Sequence, residues 1–451
     1  MNFHKLFSFI TLVGLLWPYE LVLANHKPKH TIDVIKVLSP SGIEAWLVRD
    51  HLNPIINFHF AFRGGAALDP NGKEGLAYMA SGLFDKGAGN LDSQSFQRRL
   101  EELSIVLQFE ASHDVFQGRV KTLSENKDKA FNMLKVAINQ PRFDKKTIDR
   151  IRSQILADLR QSSQNPSNVA SLTLNKELFP DHPYGRPIKG TLESIKTIVK
   201  SDLKIFKKER LARDNLVVGV VGDITPHDLA NWLDQIFLGL PTISKAPKIT
   251  DVQPQTLGRT KVVQMAVPQS AIAFAQEGPK RDDPDFYKAY ILNHILGGSG
   301  FTSRLYTEIR EKRGLAYSIG SYLYPKKNAG LIKGYAGTAN ERVNETLKVL
   351  KKEWRLIANG GIDKKTLNSA KTYLIGSYPL RFTSSRNLAA ILVTLQLQNL
   401  NVDFLDQRNS IISDIKLEDL NATAKKLLDP DKLFIVVVGN PKGVTSPPQE
   451  S

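Results

Sequence analysis

Metal binding and nucleophilic catalysis draw on histidine, cysteine and serine at set intervals, and few such intervals occur in this chain of 451 residues. There is no cysteine, which excludes a thiolate nucleophile, a disulfide and Cys-ligated zinc. Of nine histidines, only His26 and His30 stand four apart, the interval that aims two ring nitrogens at one metal from a single helix face. Pro28 lies between them and breaks that turn. His51, His59, His113, His182, His227 and His294 are isolated in sequence, where a structural or surface role is the plainer reading. No G-x-S-x-G elbow occurs. The run Gly297-Gly298-Ser299-Gly300 lacks the Gly-Lys-Ser/Thr ending of a phosphate loop, which leaves a glycine hinge or a close backbone approach.

Two stretches keep the outline of a site. GLAYMASGLFDKGAGN, residues 75–90, sets Leu76, Met79, Leu83 and Phe84 at helical spacing for burial and turns Tyr78, Ser81 and Gly82 the other way. None of those three is a strong metal ligand or an acid–base group. In REKRGLAY, Arg310 and Tyr317 stand seven apart with Gly314 between them as a helix stop. That spacing places Arg310 on the last turn of a helix and Tyr317 at the start of a strand, Ala316–Leu323. A guanidinium and a phenol both donate hydrogen bonds, so the pair can hold a carbonyl oxygen or an oxyanion. By residue type alone, a surface ion pair for Arg310 and a core position for Tyr317 is the plainer reading.

The elements that must carry these residues occur twice. SDLKIFKKERLARDNLVVGVVGD, from Ser201 to Asp223, aligns without gaps with EDLNATAKKLLDPDKLFIVVVGN, from Glu418 to Asn440. Each copy reads as a helix with Asp in its first turn, where the helix dipole favours negative charge, followed by a continuous apolar strand suited to a sheet interior. PIINFHFAFRGGAALDP and QSAIAFAQEGPKRDDPD correspond in the same way, as strand and turn. Long helices are predicted over Lys127–Asn139, Lys145–Ser162 and Val343–Ala358. The expected fold is α+β, two homologous domains from an internal duplication, each a mostly antiparallel sheet with helices on one face. The expected boundaries are a signal peptide over 1–24, a first domain over 30–240, a Pro/Thr/Lys-rich linker over 241–260, a second domain over 261–442, and a tail over 443–451.

Composition narrows the setting. With 41% hydrophobic residues the chain has material for real cores. The apolar run Leu6–Trp17, the breaker Pro18 and the small-residue site ending at Ala24 read as a secretory signal. An uncleaved anchor is the alternative, for which the run is short. Export without cysteine fits a bacterial periplasm. The net charge of +16, unchanged by removal of Lys5 and Glu20, steers acidic peptides, an acidic partner or an anionic surface; solubility alone also accounts for it. Scattered Lys and Arg without an aromatic–basic motif argue against nucleic acid.

GLAYMASGLFDKGAGN resembles the zinc helix of the pitrilysin–insulinase metalloprotease family, in which Gly-Leu-Ala precedes H-x-x-E-H and Lys-Gly follows. The resemblance extends through FRGGAALDPNGKEGLA, HPYGRPIKGTLESI, the strand ending Val-Val-Gly-Asp, and FTSRLYTEIREKRGLAYSIGSYL. It implies repeated α+β domains, in keeping with the duplication. In the family, two histidines bind zinc, the glutamate is the general base and a distant glutamate completes the metal shell. Here the motif positions fall on Tyr78, Ser81 and Gly82, and the distant ligand on Asp158 in ILADLRQSSQNP. The resemblance therefore implies no metal held by this chain. Arg310 and Tyr317 match the pair that in this family reaches the substrate backbone opposite the zinc. Some two-chain members divide the site in this way between a zinc subunit and one that has lost the metal. The implied function is a non-catalytic, substrate-binding subunit of a periplasmic zinc metallopeptidase heterodimer, with zinc in a homologous partner. Its substrate would be an extended peptide, and no integral membrane segment would remain after signal cleavage. By the same resemblance Val106–Val115, VLQFEASHDV, is the sheet edge along which a peptide would add as a strand. The alternative is a stand-alone peptide-binding or scaffolding protein of the same fold. A self-sufficient metalloendopeptidase would need ligands that Tyr78, Ser81 and Gly82 do not supply.

Overall fold

The computed structural model describes residues 32–256 and 258–446. The expected signal peptide, His26, His30 and residues 447–451 of the tail lie outside the described residues. Alternating and continuous apolar runs form eleven strands among the described residues, in two sheets. The first holds β1 (Ile35–Leu38), β2 (Glu44–Arg49), β3 (Ile55–Arg63), β4 (Val106–Ala111), β5 (Val115–Leu123) and β6 (Leu216–Gly222), in the order β1-β2-β6-β3-β5-β4. The second holds β7 (Thr260–Gln264), β8 (Gln269–Glu277), β9 (Ala316–Pro325), β10 (Gly330–Ala339) and β11 (Phe434–Gly439), in the order β7-β11-β8-β10-β9. Leaving out β1, the two orders are the same. In each sheet one pair is parallel, β2 with β6 and β7 with β11, and the rest are antiparallel.

Helices of the first half are α1 (Leu76–Ser81), α2 (Ser93–Glu102), α3 (Lys127–Asn139), α4 (Lys145–Ser162), α5 (Pro166–Leu178), α6 (Ser194–Thr197), α7 (Lys200–Arg210) and α8 (Pro226–Phe237). Those of the second are α9 (Phe286–Asn293), α10 (Val343–Ala358), α11 (Lys364–Gly376), α12 (Ser385–Leu397), α13 (Phe404–Asp414) and α14 (Leu417–Leu427). The duplicated segments are thus α7 with β6 and α14 with β11. The three long helices predicted from periodicity are α3, α4 and α10, with the expected limits. The predicted hinge or close approach at Gly297 is a close approach: a Cβ there would lie 2.7 Å from the Ser321 backbone nitrogen in β9.

Helices pack on one face of each sheet as expected, and the other face is covered as well. Each sheet packs its own helices on one face and receives a single helix from the sister domain on the other. Ala170, Leu174 and Leu178 of α5 lie on Ala271, Ala273, Phe434, Val436 and Val438 of the second sheet. Leu388, Ala389, Leu392 and Leu395 of α12 lie on Trp46 and Val221 of the first. Close approach explains the sequence there: a Cβ on Gly219 of β6 would sit 2.7 Å from the Ala389 carbonyl. The exchange also explains why β11 is buried at every residue, since Ile435 and Val437 face the domain's own core while Phe434, Val436 and Val438 face α5.

A buried polar cluster joins the halves. Lys326 Nζ donates to His113 Nδ1 at 2.9 Å, and His113 Nε2 donates to the Arg186 carbonyl at 3.0 Å, which fixes a neutral imidazole in one tautomer. Burial, and then the adjacent Lys326 charge, lowers the His113 pKa to about 3. The ammonium lies 4.2 Å from the Tyr184 ring centroid, and Tyr184 Oη donates to Asp114 at 2.6 Å.

Candidate functional site

The short helix α1 is held at its start by a buried ion pair. Gly75, at φ +93, precedes it in the left-handed region, and a Cβ there would strike the Lys189 carbonyl at 2.8 Å. Asp69 accepts from the backbone N–H groups of Gly75 at 3.1 Å and Ala77 at 3.2 Å, placing a carboxylate at the positive end of the helix. Arg210 of α7 donates to Asp69 Oδ1 at 2.8 Å and to the Leu68 carbonyl at 2.7 Å. Leu76, Met79, Leu83 and Phe84 are all buried, as their spacing predicts.

The other face carries the vacated motif. Ser81 Oγ donates to the Tyr78 carbonyl at 2.7 Å and is buried. Gly82 has ordinary helical backbone, φ −75, and a Cβ there would come no nearer than 3.4 Å to Ile151 Cγ2, so a side chain would fit. Asp158 projects from α4 toward the same place, but it is taken: Lys189 Nζ donates to Asp158 Oδ2 at 2.5 Å and lies 5.6 Å from the Tyr78 ring centroid. The Asp158 hydrogen bond, with Tyr78 beside it, holds the Lys189 ammonium above its ordinary value. A tethered cation therefore occupies the ground between the distant carboxylate and the helix.

These residues do not fit zinc, which takes at least three protein ligands of His, Cys or carboxylate type. The helix offers a phenol, a committed hydroxyl and no side chain, and the remaining carboxylate already neutralises an ammonium. Among the described residues no group of three or more His, Asp or Glu is placed to hold a metal ion. Nothing in the residue types of HPYGRPIKG assigns Lys189 to the site. The one local sign was Gly190, at φ +78, whose missing side chain lets the loop come against the Glu74 carbonyl.

Arg310 and Tyr317 come together in the second domain. Arg310 sits on a wide helical turn, Tyr306–Glu311, that Gly314 ends at φ +60, and Tyr317 is the second residue of β9. The guanidinium carbon is 4.9 Å from the Tyr317 ring centroid and 5.0 Å from that of Tyr306. Tyr317 is 77% exposed, so it does not fill the core. Arg310 makes no ion pair with another described residue. Tyr317 faces outward, and Arg310 is half-buried between the two rings with donors to spare.

Each sheet ends on an unpaired edge, β4 in the first and β9 in the second. The expected edge Val106–Val115 is shorter in the structure: β4 ends at Ala111, and Val115 opens β5. A cavity of about 730 Å³ runs from Ser81 and Gly82 past Gln108 and Glu110 of β4 to Arg119 of β5, and is closed by Arg386 and Thr394 of α12. Arg310 and Tyr317 do not line it.

Two family models match the chain: one described as Insulinase (Peptidase family M16), over residues 47–192, and one described as Peptidase M16 inactive domain, over residues 197–374. A Helicobacter pylori protein named non-peptidase homolog YmxG is 29% identical over 398 residues, covering 87% of this chain and 91% of its own length. A Rickettsia felis protein named uncharacterized zinc protease is 24% identical over 372 residues, covering 80% and 87%. The crystal structure of a peptidase M16 inactive domain from Pseudomonas fluorescens is similar at a TM-score of 0.85 and 28% identity, over 93% of this chain and 100% of that one. A protease from Helicobacter pylori, at a TM-score of 0.83 and 20% identity over 90% and 99% of the two chains, shares the fold.

Proposed function

The chain belongs to the M16 (insulinase) peptidase family as a non-catalytic member, and from that premise we propose that it is the substrate-binding subunit of a periplasmic zinc metallopeptidase heterodimer. A homologous partner supplies the zinc, and this chain supplies Arg310 and Tyr317 to the backbone of an extended peptide. The observation that carries the reading is the state of that pair. Tyr317 is exposed on an edge strand, and Arg310 has aromatic partners but no carboxylate, so their N–H and O–H groups are available to a carbonyl oxygen. A subunit with no use for a peptide would not need a half-buried Arg310 held unpaired against an exposed Tyr317 while its metal positions hold Tyr78, Ser81 and Gly82.

Delivery to the periplasm rests on the leader read at residues 1–24. Among the described residues no helix is long and apolar enough to cross a membrane.

The test is peptidase activity and bound zinc, measured on the chain alone and on the chain co-expressed with an H-x-x-E-H homologue from the same genome. Zinc and activity are expected only in the mixture, with activity falling about 10-fold or more for Arg310→Ala and less for Tyr317→Phe, as for a lost oxyanion donor. A chain that never pairs but still binds peptide is a stand-alone binding protein. Chelator-sensitive activity from the chain alone would refute the non-catalytic assignment.

A further inference from the structure

The cavity beside the vacated helix brings together charges from both domains that the Arg310–Tyr317 site does not use. Arg119 projects from β5 and reaches over β4, its Nε donating to Gln108 at 2.9 Å; the two residues are direct cross-strand partners. Arg386 enters from above, on the first turn of α12, and makes neither a hydrogen bond nor an ion pair with another described residue. Arg119 likewise has no carboxylate within ion-pair distance among the described residues. The nearest acid on this face, Glu110, is bonded to Gln117 at 3.1 Å, and at the far end Asp85 is paired with Lys86 at 2.7 Å. Two guanidinium groups thus line one walled space, each raising the other's electrostatic cost, and the Glu110 carboxylate acts on Arg119 without forming an ion pair with either. Like charges so placed repel, and the arrangement is relieved when an anion bridges them.

We propose that Arg119 and Arg386 form a carboxylate-binding site that selects an acidic group on a peptide added along β4. The register supports a peptide as the source of that carboxylate. A strand added to the open edge of β4 lies about 4.8 Å from it and turns alternate side chains to the face that carries Gln108, Glu110 and Arg119. The Arg119 guanidinium already lies over β4, one strand from that position, and Arg386 closes the space above it. His59, on β3 in the same wall, is lowered to about 4 by burial first and then by Arg119 and Arg386, so it is neutral at neutral pH and able to donate a hydrogen bond without adding a third charge. The inference rests on the peptide-binding reading and adds a substrate class to it: peptides with a side-chain or terminal carboxylate.

The test is calorimetric titration of the full chain with nine-residue Val/Thr peptides of four kinds. One carries a central Glu and an amidated C-terminus, its twins carry Gln or Lys at the centre, and the fourth is the Gln peptide with a free C-terminus. The Glu peptide, the free-terminus peptide or both are expected to bind about 10-fold tighter than the amidated Gln peptide, as for charge-assisted bidentate pairs. Which of them gains identifies the carboxylate. Arg386→Ala and Arg119→Gln should each bring that preference within about 2-fold, and Arg386→Glu, whose side chain is exposed on a helix, should shift it toward the Lys peptide. Equal binding of all four peptides overturns the carboxylate site and leaves peptide binding standing. Binding of none overturns both.

Discussion

Arg210 and Asp69 are 6% and 2% exposed, and their ion pair fixes the start of the helix that carries the vacated metal positions. Burial pushes the Asp69 carboxyl up to about 6 against the pull of Arg210. Arg210→Met leaves that carboxylate without its partner and is expected to cost about 3–5 kcal/mol by urea denaturation at pH 7.5. The loss should shrink as pH is lowered, because a raised carboxylate pKa means the folded state takes up its proton first. A loss that does not vary with pH would show that Asp69 is not the group left exposed. Lys189 makes a second prediction at this scale. Restoring the family's ligands and base by Tyr78→His, Ser81→Glu, Gly82→His and Asp158→Glu should not by itself give a chain that retains zinc, because the Lys189 ammonium is bonded to the carboxylate at the distant ligand position. Adding Lys189→Ala should give one zinc per chain by metal analysis. Equal zinc content with and without that last change would mean that Lys189 does not compete for the place.

The element that most affects the candidate site is α12, since it belongs to the second domain and closes a cavity whose floor is the first domain's sheet. It is tied down at both ends. Asn57 Nδ2 donates to Ser385 Oγ at 3.3 Å near its start, and Arg63 donates to Asn399 at 3.0 Å just beyond its end. Between them Gly219 gives the helix its close approach, with Ala389 and Leu392 both within 3 Å of where a Cβ would be. Gly219→Val overpacks that contact and is expected to cost about 1–3 kcal/mol. It should also raise amide hydrogen exchange in residues 385–397 above that in α5, which lies on the other sheet. Unchanged exchange in α12 would show that the helix does not depend on this contact.

For the molecule as a whole, the two domains are joined by exchanged helices and by the buried His113–Lys326 contact, and the latter titrates. The fold lowers the His113 pKa to about 3, whereas the unfolded chain takes up the proton near 6.5. Stability from this contact is therefore fully present above about pH 6.5 and is lost as pH falls toward 3, on the order of a few kcal/mol. His59, lowered to about 4, has the same sign; Asp69, raised to about 6, has the opposite one and offsets part of the loss. Protonated His113 would face Lys326 and Lys333 across the domain boundary and Arg186 of its own domain. His113→Gln should flatten the fall in urea midpoint between pH 7 and pH 5, and an unchanged slope would assign the acid sensitivity elsewhere.

What the sequence determined by itself was whatever depends on local period and residue identity. The duplication, the limits of α3, α4 and α10, the buried stripe of α1 and the absence of ligand atoms at Tyr78, Ser81 and Gly82 are all of this kind. A 3.6-residue period, or a glycine where a histidine would have to stand, needs no knowledge of distant neighbours. The tertiary structure alone decided which helix covers which sheet, that Lys189 reaches Asp158, that Arg310 stacks on Tyr317 with the phenol in solvent, and that Arg119 and Arg386 share one cavity. Each of these is a contact between side chains brought close by packing, and an isolated Lys or Arg has the same surface-seeking character in a sequence whether or not an ion waits for it in the fold.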